Sequence, residues 1–131
     1  MGRIAHYADV AVEVAGEVRG ARRPEEAARG EREALLRKLA TRGLRVGLDP
    51  AGEACTSEGF ARRMEKMLTA GGGRLQFVVG GPAGLAPPVR ERLDGMVSLS
   101  PMTLTHEMAR LLLVEQVYRA FTILRGEPYH R

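Results

Sequence analysis

The chain has 131 residues, which is one domain's worth of length and enough to bury a core without disulfide or metal staples. Its 44% apolar and 27% charged residues exclude a largely disordered chain, and a formal charge of +4 favours an anionic partner (RNA, DNA or a membrane surface) while also serving plain solubility. The lone cysteine, Cys55, excludes an intrachain disulfide and fits a reducing compartment; the N-terminus lacks the apolar core of a signal peptide, and no apolar run approaches the roughly 18 residues of a membrane span, so a soluble, cytoplasmic protein is expected.

In chain order, Val10, Val12 and Val14 alternate with Ala11 and Glu13, the period of a half-buried strand. Arg19 to Pro24 reads as a basic turn. A helix follows from Glu25 to about Ala40, with Ala28, Leu35, Leu36 and Leu39 near one face and Gly43 suited to its end. Leu44, Val46 and Leu48 alternate as a second strand, which the turn residues Asp49-Pro50-Ala51-Gly52 should stop. Ser57 is the expected cap of a helix whose buried stripe is Phe60, Met64, Met67 and Leu68, ending at Gly71-Gly72-Gly73. Leu75 to Val79 is a continuous apolar run, as in a strand covered on both faces.

A sharp glycine-rich loop comes next, Gly80 to Leu85. Pro87 and Pro88 can open a short helix through Leu93, and Met96 to Ser100 reads as a fourth strand. After a loop, Pro101 to Leu104, Thr105 can cap a last helix running to about Arg125. Its apolar residues, from Met108 to Leu124, make a stripe wider than one core face needs; Tyr118 reads as core and His106 as a residue that stabilises the helix start. Strands alternating with helices imply an α/β fold, a mostly parallel sheet with helices on both faces, in a single domain over 1–131.

Ligands of such sheets bind outside the carboxyl ends of the strands. Three loops qualify: Leu48 to Gly52, Gly80 to Leu85, and Ser98 to Leu104. Gly80, Gly81 and Gly84 offer the best backbone cradle, although a tight turn has the same composition. The loop is not a dinucleotide fingerprint, and no Walker lysine or nucleophile elbow is present. His6, His106 and His130 lack zinc spacing, so no metal is expected. The tail, Tyr129-His130-Arg131, combines an aromatic, an imidazole and a guanidinium, groups suited to stacking on a base and pairing with phosphate; a chance terminus has them too.

Four ordered blocks, Phe77 to Leu85 (FVVGGPAGL), Leu99 to His106 (LSPMTLTH), Leu113 to Phe121 (LVEQVYRAF) and Arg125 to Arg131 (RGEPYHR), closely resemble the ribosomal RNA large subunit methyltransferase H family of SPOUT methyltransferases. The likeness is dense from Leu44 onward and thinner from Tyr7 to Leu39. It implies a C-terminal trefoil knot, a homodimer, and methyl transfer from S-adenosylmethionine to N3 of a pseudouridine in 23S rRNA of the large ribosomal subunit. By position it puts cofactor contacts on Leu48, Gly80, Leu99, Ser100, Pro101, Met102, Thr103 and Leu104, within the three strand-end loops. Thr105 stands where many relatives have proline. The N-terminus looks short by most of a first strand and helix, and a start upstream of Met1 is the expected reason.

On that resemblance, His130 is the expected proton-handling residue, because histidine titrates nearest neutral pH, and Glu115 is the rival base. Arg119 and Arg131 are expected on phosphate or on the developing anion. Arg19, Arg22, Arg23 and Tyr129 are expected RNA contacts; for the arginines a solvated basic turn is the plainer alternative. Two other functions fit the same residues: a shortened relative that binds RNA or cofactor without turnover, and a SPOUT methyltransferase with another RNA target such as tRNA. The ribosomal character of the C-terminal block argues against the second.

Overall fold

The computed structural model of the chain describes residues 9–14, 24–39, 41–80 and 85–130. Strands and helices alternate: β1 (Asp9–Val14), α1 (Pro24–Lys38), β2 (Leu44–Ala54), α2 (Ser57–Ala70), β3 (Arg74–Val79), α3 (Pro87–Arg90), β4 (Gly95–Ser98) and α4 (His106–Leu124). The strands form one sheet in the order β1-β3-β2-β4, and every neighbouring pair is parallel. The expected α/β class therefore holds.

Helices cover both faces because the inner strands are apolar on both. From β3, Leu75, Phe77 and Val79 join one core cluster and Val78 joins the other. The first cluster takes Phe60, Met64 and Leu68 from α2 and Leu113, Ala120 and Leu124 from α4. Phe60 stacks on Phe77 with ring centroids 5.9 Å apart, and burying such a side chain stabilises by roughly 1.5–3 kcal/mol. The second cluster holds Leu35 and Leu39 of α1, with Leu85 and Val89. Gly47 of β2 lies on that side: a Cβ there would sit 2.7 Å from Leu85 Cδ1, Leu93 Cδ1 and Met96 Sδ, so glycine lets the second layer close onto the sheet. Gln76, the polar residue inside β3, has its amide donating to the Lys38 carbonyl at 2.8 Å, which anchors the end of α1.

The elements depart from sequence expectation in five places, the simplest being α3, which ends at Arg90 and not at Leu93. Thr56, not Ser57, caps α2: its hydroxyl accepts from Gly59 N at 3.0 Å, and Ser57 donates to Gln116 instead. β2 does not stop at Leu48. Asp49 does make a local turn, accepting from Ala51 N at 2.8 Å, but ladder pairing to β4 resumes at Glu53 after a register shift. β4 stops at Ser98, because Ser98 Oγ donates to the Ser100 carbonyl and Ser100 Oγ accepts from Met102 N, a side-chain turn that competes with the ladder. Tyr118 is exposed, not core. The cap expected at Thr105 is present, with Met108 N donating to its hydroxyl at 3.2 Å. Among the described residues, no helix is long and apolar enough to cross a membrane.

Candidate active site

β2 passes into α2 on one face of the sheet, and β3 passes into α3 on the other. Adjacent parallel strands whose connections leave on opposite faces open a crevice beyond their carboxyl ends. A cavity of about 610 Å³ lies there. β2, just where its pairing with β3 ends, supplies Leu48, Asp49 and Pro50; the end of β3 and the residue after it supply Val79 and Gly80; the loop after β4 supplies Leu99, Ser100, Met102, Thr103 and Leu104; the start of α4 supplies Thr105, His106 and Ala109. Its volume is in the roughly 300–1,000 Å³ range of small-molecule sites, and its wall is mostly apolar with a few convergent polar groups. Asp49 is pinned at the wall by an ion pair with Arg90, whose Nε also donates to the Leu85 carbonyl at 2.9 Å.

A second cluster forms where the tail folds back. α4 ends in a Schellman turn: Gly126 N donates to the Ile123 carbonyl and Glu127 N to the Thr122 carbonyl, with Gly126 at φ +71°. This reversal returns Tyr129 and His130 to α4. Arg119 grips Glu115 through Nε at 3.0 Å and Nη2 at 2.6 Å, and its Nη1 lies 3.0 Å from His130 Nδ1. Tyr129 donates to Glu115 at 3.3 Å, packs edge-on against Tyr118 and lies under the Arg119 guanidinium. Hydrogen bonds from Arg119 are the chief reason the Glu115 carboxyl lies below the usual carboxylate range, with burial opposing. The same contact raises Arg119, which stays a fixed cation.

The expected site residues thus fall into two groups. Leu48, Gly80, Leu99, Ser100, Met102, Thr103 and Leu104 line the cavity, whereas Pro101, though in the same loop, is not among its lining residues. Glu115, Arg119, Tyr129 and His130 are together in the tail cluster, and none of them lines the cavity. Arg119 is 13 residues along α4 from His106, about 20 Å by helical rise. Arg19, Arg22, Arg23, Arg131, Gly81 and Gly84 lie outside the described residues. Sequence reasoning missed Asp49 and Glu58. A carboxylate in the Asp49-Pro50-Ala51-Gly52 turn signal marked the first, and nothing local marked the second. His106, expected only to support the helix start, also lines the cavity. Among the described residues no group of three or more His, Cys, Asp or Glu is placed to hold a metal ion.

A family model described as "Predicted SPOUT methyltransferase" matches residues 1–130. The chain is 37% identical over 130 residues to the ribosomal RNA large subunit methyltransferase H of Flavobacterium johnsoniae, covering 98% of this chain and 83% of that protein. It is 50% identical over 115 residues to the protein of the same name from Prochlorococcus marinus, covering 88% and 71%. The namesake from Gemmatimonas aurantiaca is 42% identical over 132 aligned residues, covering 99% and 84%.

Proposed function

The chain belongs to the SPOUT methyltransferase family, and from that membership we propose that it methylates N3 of a pseudouridine in 23S rRNA, in the cytoplasm, with S-adenosylmethionine as donor. The observation that carries this reading is the cavity at the carboxyl ends of the strands, whose wall holds seven of the eight residues that the resemblance marks for the cofactor, all but Pro101. The wall fits the group. Leu48, Val79, Leu99 and Leu104 offer an apolar bed for an adenine, Gly80 permits close backbone approach, and the first turn of α4 presents helix N–H dipoles to a carboxylate.

When bound, the cofactor supplies an electrophilic methyl on a sulfonium whose charge is lost on transfer. The protein therefore has more to do in alignment than in charge stabilisation at that end. At the other end, the weakly acidic N3–H needs a proton acceptor. His130 is our candidate and Glu115 the rival, with Arg119 and Arg131 holding phosphate or the developing anion. Tyr129 offers a face for a base, and Arg19, Arg22 and Arg23 extend the RNA contact.

The reading includes a homodimer and the family's trefoil knot. Met108, Leu111, Leu112, Val114 and Tyr118 are exposed along α4, a stripe that runs from the cavity end of the helix to the tail cluster. A second copy seated on it borders both. The deciding experiment is mass spectrometry of rRNA nucleosides from cells with and without the gene. Loss of one methylated pseudouridine from large-subunit RNA is expected. An unchanged rRNA profile beside a changed tRNA profile overturns the ribosomal assignment, and no change in either overturns the activity.

A further inference from the structure

His130 is held between two side chains that leave its ring one arrangement. Its Nδ1 lies 3.0 Å from Arg119 Nη1 and its Nε2 lies 2.7 Å from Glu58 Oε1. A guanidinium only donates and a carboxylate only accepts. These two contacts suit the Nε2–H tautomer, with the lone pair on Nδ1 facing Arg119. Glu58 lies in the first turn of α2. That turn reaches the cluster twice: Ser57 donates to Gln116 at 2.8 Å, and Gln116 donates to Glu115 at 3.0 Å. So α2 braces both candidate bases, each from a residue the functional reading leaves unused.

We propose that Glu58 is a positioning residue that latches the C-terminal tail to α2 and fixes His130 as the Nε2–H tautomer, leaving Nδ1 to take the substrate proton. The inference rests on the reading of His130 as the proton-handling group. A histidine base works only with its lone pair on the nitrogen facing the acid, and a carboxylate on the far nitrogen sets that choice and stabilises the imidazolium formed. In the resting chain Arg119 caps the Nδ1 lone pair. An arriving anionic group draws the guanidinium toward itself and uncovers Nδ1. Because the tail cluster lies apart from the cavity of its own chain, the methyl donor is the one held by the second copy of the proposed dimer: the N3–H bond breaks as Nδ1–H forms, the N3 electron pair takes up that methyl, and the donor leaves as a neutral thioether. The hydrogen bond from His130, together with a backbone hydrogen bond, holds the Glu58 carboxyl below the usual carboxylate range, so the latch is ionised at neutral pH.

The test joins a spectrum of the free protein to kinetics. Ring ¹⁵N shifts of the full chain should show protonated Nε2 at His130; Glu58→Ala should lose that signature, and Glu58→Gln, whose amide oxygen still accepts, should keep it. On ribosomes purified from a strain lacking the gene, Glu58→Ala should lower kcat about tenfold, within the ~10²–10⁴-fold that the base itself supplies, with KM nearly unchanged. Glu58→Gln should recover most of the rate. In a His130→Ala background, Glu58→Ala should cost nothing further. A proton on Nδ1 in the wild type, or a Glu58→Ala protein with native tautomer and rate, overturns the latch while a slow His130→Ala leaves the functional reading standing. A His130→Ala protein with wild-type kcat overturns the reading of the tail, and the latch's catalytic role with it.

Discussion

Gly80 is the residue at which the proposed cofactor site is most directly tested. It follows β3 on the cavity wall, and on the proposed reading a branched side chain there hinders the close backbone approach of the cofactor. Gly80→Val should weaken S-adenosylmethionine binding at least tenfold, roughly 1.4 kcal/mol, in calorimetry; wild-type affinity would remove the cofactor from this cavity. Glu115 gives a second residue-scale expectation. Its folded carboxyl titrates below its ordinary value, chiefly through Arg119. A carboxyl lowered on folding stabilises above its unfolded pKa, about 4.3, and that contribution is lost as pH falls through the folded value. Because the pair is solvent-screened, Glu115→Gln should lower Tm at pH 7 by only about 1–4 °C, with the difference shrinking as pH falls through the folded value. A difference that grew on acidification would contradict the assignment. Residue identity was legible where one group suffices: Thr105 as a cap and Gly80 as a glycine after a strand. It failed at Ser57, because Thr56 and Ser57 are both good caps and only the distant Gln116 decides which hydroxyl is free for α2. Glu58 was invisible for the same reason, its partner being 72 residues away.

At the scale of elements, the α4 Schellman turn determines where the tail goes. A Cβ at Gly126 would meet nothing within 4 Å, so glycine is required there by φ +71° and not by space. An L side chain in that region costs roughly 1–2 kcal/mol. Gly126→Ala should therefore lower Tm by about 3–8 °C. On the proposed reading it should also slow methylation by displacing His130, while S-adenosylmethionine affinity in calorimetry stays unchanged. A variant slowed with no change in Tm, or with weakened cofactor binding, would mean that the turn does something else. Element types were readable from period alone: two for β1, continuous for β3, three to four for α2 and α4. Boundaries were not, where a side chain and the ladder compete for the same backbone. Asp49 makes the turn its sequence advertises, yet β4 recovers the strand at Glu53 because it supplies partners from elsewhere in the chain. Ser100 pulls its own segment out of β4 through its hydroxyl.

For the whole molecule, the strand order β1-β3-β2-β4 was beyond reach of local pattern, since it depends on which distant strands pair. The surplus of apolar residues on α4 was legible, because a helix needs one stripe for the core and this one carries more. Leu113, Ala120 and Leu124 are buried against α2 and the sheet, while Leu111 stays 63% exposed, with Met108, Val114 and Tyr118 beside it. Monomers rarely leave such a patch open. Covering it returns about 25 cal/mol for each Å² of apolar surface removed from water, and a standard interface buries around 800 Å² on each partner. A two-fold partner is the occupant that suits it, because each copy then hides the same stripe with the same stripe. The proposed homodimer should thus run at twice the chain mass in light scattering at micromolar concentration, and its Tm should rise with protein concentration by mass action. Leu111→Glu with Val114→Glu should yield a monomer that still folds, since neither side chain belongs to the buried core. It should keep its far-UV spectrum and lose the concentration dependence of Tm. A wild-type chain that scatters as a monomer and melts at one temperature across a hundredfold dilution would instead leave the stripe for a different partner.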